Sequence, residues 1–190
     1  MAKENKSKYA LLGILSISPG SGYDIKKFME QSTSNFWSES YGQIYPILKQ
    51  LVEAGLATSH TEKQEGKPER YMYTLTDKGF EALRQWLTEP IEHTVERNEL
   101  LLKLFFGRQN SITDNIEHVQ QFRTLQEQLI QKYQGIEGYL KANCTDNPDL
   151  YYSLITVRYG ILRCQALLTW CAETIDMLHK FAEKHENAKH

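Results

Sequence analysis

Cysteine is scarce in this chain, and its spacing suits neither cross-linking nor metal. Cys144, Cys164 and Cys171 are odd in number and form no C-x-x-C pair, so neither a disulfide framework nor a zinc site is indicated. Cys164 and Cys171 fall on an apolar helical face, where free cysteine behaves as a small hydrophobe. Long hydrophobic runs are also missing. The stretch ALLGILSI (10–17) is far short of the roughly 20 residues a membrane span needs. The polar start MAKENKSK is not a secretory signal, so the chain reads as cytoplasmic with no membrane partner. There is no glycine-rich phosphate loop, no G-x-S-x-G, no H-E-x-x-H and no distinctive carboxylate pair, which argues against an enzyme. No catalytic residue, metal ligand or cofactor is assigned. An excess of positive charge is absent too: 22 Lys and Arg face 24 Asp and Glu, a net charge of −2. The first 89 residues are balanced. Any binding to nucleic acid must then rest on a few placed cations, and its non-specific part should be modest.

What is present is ordinary for a globular chain: 190 residues, 41% apolar and 24% charged, enough for one or two small domains. The organising stretch is 40–75, SYGQIYPILKQLVEAGLATSHTEKQEGKPERYMYTL. Ser40 and Gln43 form an S-x-x-Q capping box. Ile44, Ile47, Leu48 and Leu51 then recur on one helical face, and Gly55 is placed to stop the helix after Ala54. Pro46 lies past the first turn and should bend the helix near its start. The opposite face carries Tyr41, Tyr45 and Lys49 at intervals of four, with Gln43 and Gln50 beside them. Such side chains either reach phosphates and base edges or form a plain solvated face. A weak strand within 56–65, a turn at 66–69 and a strong strand from Arg70 to Leu75 follow as a hairpin. Lys63, Lys67 and Arg70 cluster near its tip, diluted by Glu65 and Glu69. Helix followed by hairpin is the outline of a winged helix.

The flanking segments complete two units. Before the central helix come a short apolar helix at 8–16, a Pro/Gly turn at 18–23, and a helix at 22–31 capped by Ser21 with Asp24 at its third position. After the hairpin, Thr76 caps a helix carrying Phe80, Leu83 and Leu87. A boundary near 90–96 separates a domain at 1–90 from one at 91–190. The second domain has no strand signal. A short, strongly apolar helix at 98–107 is expected to be buried between neighbours. A long helix follows at 111–141 and another at 148–183. In the last, Leu150, Leu154, Val157, Ile161, Cys164, Leu168, Cys171, Ile175 and Leu178 alternate spacings of four and three, a heptad seam. This seam packs an intrachain hairpin with the helix at 111–141, pairs with a second subunit, or does both. Its residues Leu154, Val157, Ile161, Cys164, Leu168, Cys171, Ile175 and Leu178 are the dimerisation candidates. The fold class is mostly α with a small β-hairpin: a winged helix-turn-helix domain followed by an α-helical domain.

Several motifs together resemble the PadR-type transcriptional regulators, in particular the longer members with a C-terminal helical domain. They are YALLGILS (9–16), SGYDIKKFM (21–29), FWSESYGQIYPILKQLVEAGL (36–56), GKPERYMYTLTDKGFEAL (66–83) and RNELLLKLFF (97–106). The resemblance implies a homodimer that binds palindromic double-stranded DNA, usually as a repressor released by a small aromatic or phenolic effector. By position it implies DNA contacts from Tyr41, Gln43, Tyr45 and Lys49 on the recognition helix, and from Lys67 and Arg70 on the wing. Glu69 stands where the family often has a basic residue. No effector motif transfers. The competing reading is a winged-helix protein-interaction module without DNA binding, favoured by the acidic pI and the interrupted wing cations.

Overall fold

The computed structural model describes residues 6–34, 36–62, 70–92, 96–143 and 148–187. The chain divides into two compact units, Met1–His93 and Thr94–His190. The first contains α1 (Ser7–Ile17), α2 (Gly22–Gln31), α3 (Tyr41–Glu53), β1 (Ala57–Glu62), β2 (Arg70–Leu75) and α4 (Asp77–Thr88). The strands pair antiparallel, with Ala57 opposite Leu75 and Glu62 opposite Arg70. Gly20 adds an isolated antiparallel bridge to Tyr73. This is the winged helix-turn-helix architecture that the sequence implies.

Local chemistry sets these boundaries. At α2 the Ser21 hydroxyl accepts from the Asp24 N–H, and Asp24 Oδ2 accepts from the Ser21 N–H at 2.9 Å. At α3 the Gln43 side-chain carbonyl accepts from the Ser40 N–H at 3.0 Å and from Ser40 Oγ at 2.9 Å. Gly55, at φ 69°, ends α3 in a left-handed turn. There the Leu56 N–H reaches the Leu51 carbonyl at 2.8 Å and the Gly55 N–H reaches Val52 at 3.0 Å, the paired bonds of a Schellman motif. Pro46 is accommodated inside α3. The carbonyl it leaves without a helical donor is that of Gly42, on the exposed side, where water can serve it.

The core of this unit joins Leu11, Leu12 and Leu15 of α1, Ile25 and Met29 of α2, the Ile44–Ile47–Leu48–Leu51 face of α3, Tyr73 and Leu75 of β2, and Leu83 of α4. Tyr9 stacks on Trp86 with ring centroids 4.6 Å apart. A buried acid, Glu39, holds the connection into α3 by accepting from the Trp37 indole at 3.0 Å and from the Ser7 hydroxyl. No local pattern in the sequence marks Glu39 as this polar anchor, because Ser7 lies 32 residues away.

The second unit contains α5 (Glu99–Phe105), a 3₁₀ turn (Gly107–Gln109), α6 (Ile112–Asn143) and α7 (Pro148–Asn187). The helices α6 and α7 pack along their length as an antiparallel hairpin. Gln126 of α6 meets Cys164 of α7, and Glu137 of α6 meets Arg158 of α7. Tyr133, Leu140, Val157, Ile161 and Cys164 form the buried centre of this pair. Among the described residues, no helix is long and apolar enough to cross a membrane.

Two expectations change here. The dimerisation candidates on α7 line its intrachain face: Val157, Ile161, Cys164 and Cys171 are buried in the single chain, while Leu154, Leu168, Ile175 and Leu178 are half-buried. A heptad seam records only that a helix packs against another helix, and here α6 is at hand to fill it. Within the single chain Val157, Ile161, Cys164 and Cys171 are covered, and Leu154, Leu168, Ile175 and Leu178 keep part of their surface. Conversely, α5 is not buried. Leu101, Leu102, Phe105 and Phe106 are exposed, Phe105 at 83%. Glu99 and Lys103 pair along one side of this seven-residue helix, and the rest of its surface is apolar, more than one neighbour can cover.

Candidate nucleic-acid interface

The outward face of α3 is built by its inward one. Because Ile44, Ile47, Leu48 and Leu51 are sealed in the core, the helical period turns Tyr41, Tyr45, Lys49 and Gln50 to solvent. Tyr41 and Tyr45 stack one turn apart, with centroids 6.3 Å apart and planes 22° from parallel. Desolvation, then Glu30, Tyr23 and Tyr45, hold the Tyr41 phenol above its ordinary value, so it stays a neutral hydrogen-bonding group at physiological pH. Lys49 is exposed and its ammonium lies 3.8 Å from Glu53, four residues on. That pair is weak because both side chains are largely exposed, at 79% and 63%, so Lys49 can turn to a phosphate.

Gln43 is also exposed, but its carbonyl oxygen caps α3, which leaves the amide NH₂ as the end that can point to DNA. Two tyrosines extend the face beyond the residues marked in the sequence. Tyr23 at the start of α2 is 58% exposed and Tyr71 on β2 is 59% exposed. Tyr23 is close enough to Tyr41 to affect its titration, and Tyr45 and Tyr71 both influence Tyr73. Helical spacing along α3 could not reveal Tyr23 and Tyr71, because they lie on α2 and β2.

The wing is less simple. Arg70 opens β2, but its side chain turns back on the protein, with Nε 2.8 Å and Nη2 2.7 Å from Glu62 Oε2, and Nη1 3.8 Å from Asp24 Oδ2. Lys67, Lys63, Glu65 and Glu69 lie outside the described residues. Lys78 donates to the Ala54 carbonyl at the C-terminus of α3 at 2.8 Å, where a cation also favours the helix dipole.

Among the described residues no group of three His, Cys, Asp or Glu could hold a metal ion. Burial raises the Cys164 and Cys171 thiols above their ordinary value, so both remain protonated packing groups. Two cavities open in the second unit. One of about 340 Å³ is lined by Leu102, Lys103, Phe106 and Asn115 among others, and one of about 630 Å³ by Leu104, Asn115, Met177 and Phe181 among others. Both are large enough for a small molecule. Phe106 is the aromatic that lines the smaller one. Trp37 anchors Glu39, and Trp170 packs edge-on against Phe122 with centroids 6.2 Å apart.

Comparison with known proteins agrees with this geometry. Residues 11–85 match the family model described as transcriptional regulator PadR-like, and residues 96–179 match the one described as virulence activator alpha C-term. The negative transcriptional regulator PadR of Bacillus subtilis (strain 168) is 32% identical over 179 residues, covering 91% of this chain and 97% of that protein. The crystal structure of Bacillus subtilis PadR with operator DNA aligns at a TM-score of 0.77 and 32% identity, over 92% of this chain and 99% of that one. Its complex with p-coumaric acid aligns at 0.71 and 29% identity, again over 92% and 99%.

Proposed function

This chain belongs to the PadR-like family of transcriptional regulators, DNA-binding proteins rather than enzymes, and from that premise we propose that it is a homodimeric repressor that leaves a palindromic operator when a small aromatic or phenolic effector binds. Residues 1–90 serve as the DNA-binding domain and 91–190 as the dimerisation and effector domain. The observation that carries this reading is the outward face of α3: Tyr41, Gln43, Tyr45 and Lys49 stand exposed on a helix whose other side is locked in the core. With so few cations, one copy binds weakly. Two copies with their recognition helices one turn of DNA apart, roughly 34–36 Å, add their contacts and impose two-fold symmetry on the site. Lys67 contributes from the wing.

The second copy is recruited by the apolar α5 residues Leu101, Leu102, Phe105 and Phe106, and by Ile155, Tyr159 and Leu162 of α7, all exposed in the single chain. An effector acts by preferring a dimer in which the two recognition helices no longer match the operator spacing. The relative crystallised with p-coumaric acid makes that acid the first compound to try.

The test is selection from a random DNA pool by the full-length protein. Enrichment of a palindrome whose complex is released by p-coumaric acid or another phenolic acid supports the reading; enrichment of no sequence at low salt refutes it. Activation is a second reading, favoured by the match of residues 96–179 to a virulence-activator model. A promoter fusion carrying the selected site distinguishes the two by the sign of the change when the protein is expressed.

A further inference from the structure

The turn from Gly20 to Asp24 touches both parts of the DNA-facing surface. Gly20 exchanges two backbone hydrogen bonds with Tyr73 of β2, at 3.1 and 3.0 Å. Gly22 supports the ring of Tyr45 from α3: a methyl group at position 22 would stand 2.6 Å from the nearest ring carbon. Asp24 Oδ2 accepts from the Ser21 N–H at 2.9 Å and from Ser21 Oγ at 2.7 Å, and the same oxygen faces Arg70 at 3.8 Å. Arg70 also grips Glu62 across the last described rung of the hairpin. The hairpin is thus attached to this turn twice, at its middle through Tyr73 and nearer its tip through Arg70. One attachment fixes a position; two fix an angle.

The alternative role for Arg70 is a phosphate contact. Swinging it outward would take the guanidinium away from Glu62 and from Asp24, which keeps its Ser21 hydrogen bonds, and leave two carboxylates without a cation between them on the face proposed to meet DNA. Like charges so placed oppose binding, while the planar fork of arginine suits a bridge between two carboxylates.

We propose that Arg70 is a positioning residue and not a phosphate contact: with Asp24 and Glu62 it locks the hairpin to the turn that seats Tyr45, so the wing and recognition helix meet DNA at one mutual angle. This inference rests on the DNA-binding reading above. It assigns SGYD (21–24) the role of the joint between the two DNA-reading elements.

Two measurements on the full-length protein test it. The first is fluorescence anisotropy across a salt series, using the duplex enriched by the wild-type protein and monitoring the melting temperature of each variant. Glu62→Gln removes a negative charge and frees Arg70, so a phosphate-contacting Arg70 would bind tighter; the lock predicts binding about fivefold weaker, the upper end for a partly exposed ion pair. Arg70→Gln at a phosphate contact would flatten the salt dependence by about 1.8 in slope, about 0.9 from each of the two copies. The lock predicts weaker binding with an unchanged slope. Asp24→Asn combined with Arg70→Gln should lose no more than the larger single effect, because both break one joint. Tighter binding by Glu62→Gln, or a flattened slope for Arg70→Gln, would overturn the proposal.

The second measurement needs no DNA and so separates failure of this proposal from failure of the functional reading. Hydrogen exchange at the β1–β2 amides should quicken about fivefold in Arg70→Gln, with Arg70→Lys only partly restoring protection. Unchanged exchange would also overturn it.

Discussion

Tyr45 lies against Gly22 so closely that a methyl group there would fall 2.6 Å from Tyr45 Cε1 and 2.9 Å from Cζ. The glycine therefore sets where an exposed tyrosine of the recognition helix points. Gly22 has no left-handed backbone requirement, and alanine is the better helix former. The Tyr45 ring is half-exposed and can swing away. Gly22→Ala should leave thermal stability unchanged or slightly higher while weakening operator binding about tenfold, the scale of one lost directional contact. Melting curves and anisotropy on the same preparation separate the two effects.

Gly79 presents the opposite case. A methyl group there would come within 2.1 Å of the Leu56 carbonyl oxygen and 2.6 Å of Leu75 Cδ1. The first is backbone, which cannot rotate away, and α4 would have to lift from the hairpin. Gly79→Ala should destabilise the first unit by about 2–3 kcal/mol, as overpacking does. Urea unfolding followed by Trp86 fluorescence, after replacing Trp37 and Trp170 with Phe in the background, reads this directly.

The two apolar surfaces of the second unit should respond differently. Ile161 is 1% exposed in the α6–α7 pair, so Ile161→Ala should cost about 3 kcal/mol. Leu102 and Phe105 are exposed, so Leu102→Glu with Phe105→Glu should keep the helical content but convert the dimer to monomer. Circular dichroism and sedimentation velocity check the pair of outcomes. A dimer that survives the double glutamate variant would return the subunit contact to other surfaces.

Acid should loosen the joint at α2. The Ser21 hydrogen bonds, and to a smaller degree Arg70, hold the Asp24 carboxyl below its ordinary value of 3.8. A lowered folded-state pKa means the stabilisation is present above the unfolded value and is lost as pH falls through the folded one. The Asp24-dependent stability should then be complete at neutral pH and fade below pH 3.8. Ser21→Ala removes the hydroxyl cap and should cost about 1 kcal/mol at pH 7, with a smaller effect in acid. Denaturant midpoints across a pH series give both numbers.

Much of this molecule is legible along the chain because its signals are local. Ser21 with Asp24, Ser40 with Gln43, Thr76 and Gly55 mark helix ends within a turn of themselves, and each does so in the structure. The buried face of α3 follows from period alone, and its exposed face follows as the complement. Glu39 and Tyr23 escape such reading because their partners or neighbours lie on other elements, and Tyr71 because it lies on β2, outside the period of α3. Arg70 is the sharpest case. In sequence it is a cation at a wing tip, and only the approach of Asp24 and Glu62 turns it inward.

The seam and α5 mark the same boundary between the two kinds of information. Hydrophobic period states that a face must be covered, since exposed apolar area is unfavourable in water wherever it sits. It does not name the cover. The sequence determined that α7 has a seam, that α5 carries more apolar residues than one stripe needs, and that Tyr41, Tyr45 and Lys49 share one side of α3. The tertiary structure decided that α6 packs on the seam, that α5 stays exposed within one chain, that Gly22 lies against Tyr45, and that Arg70 turns back to Glu62 and Asp24. Those outcomes depend on distances between residues far apart in the chain, which only folding brings within reach.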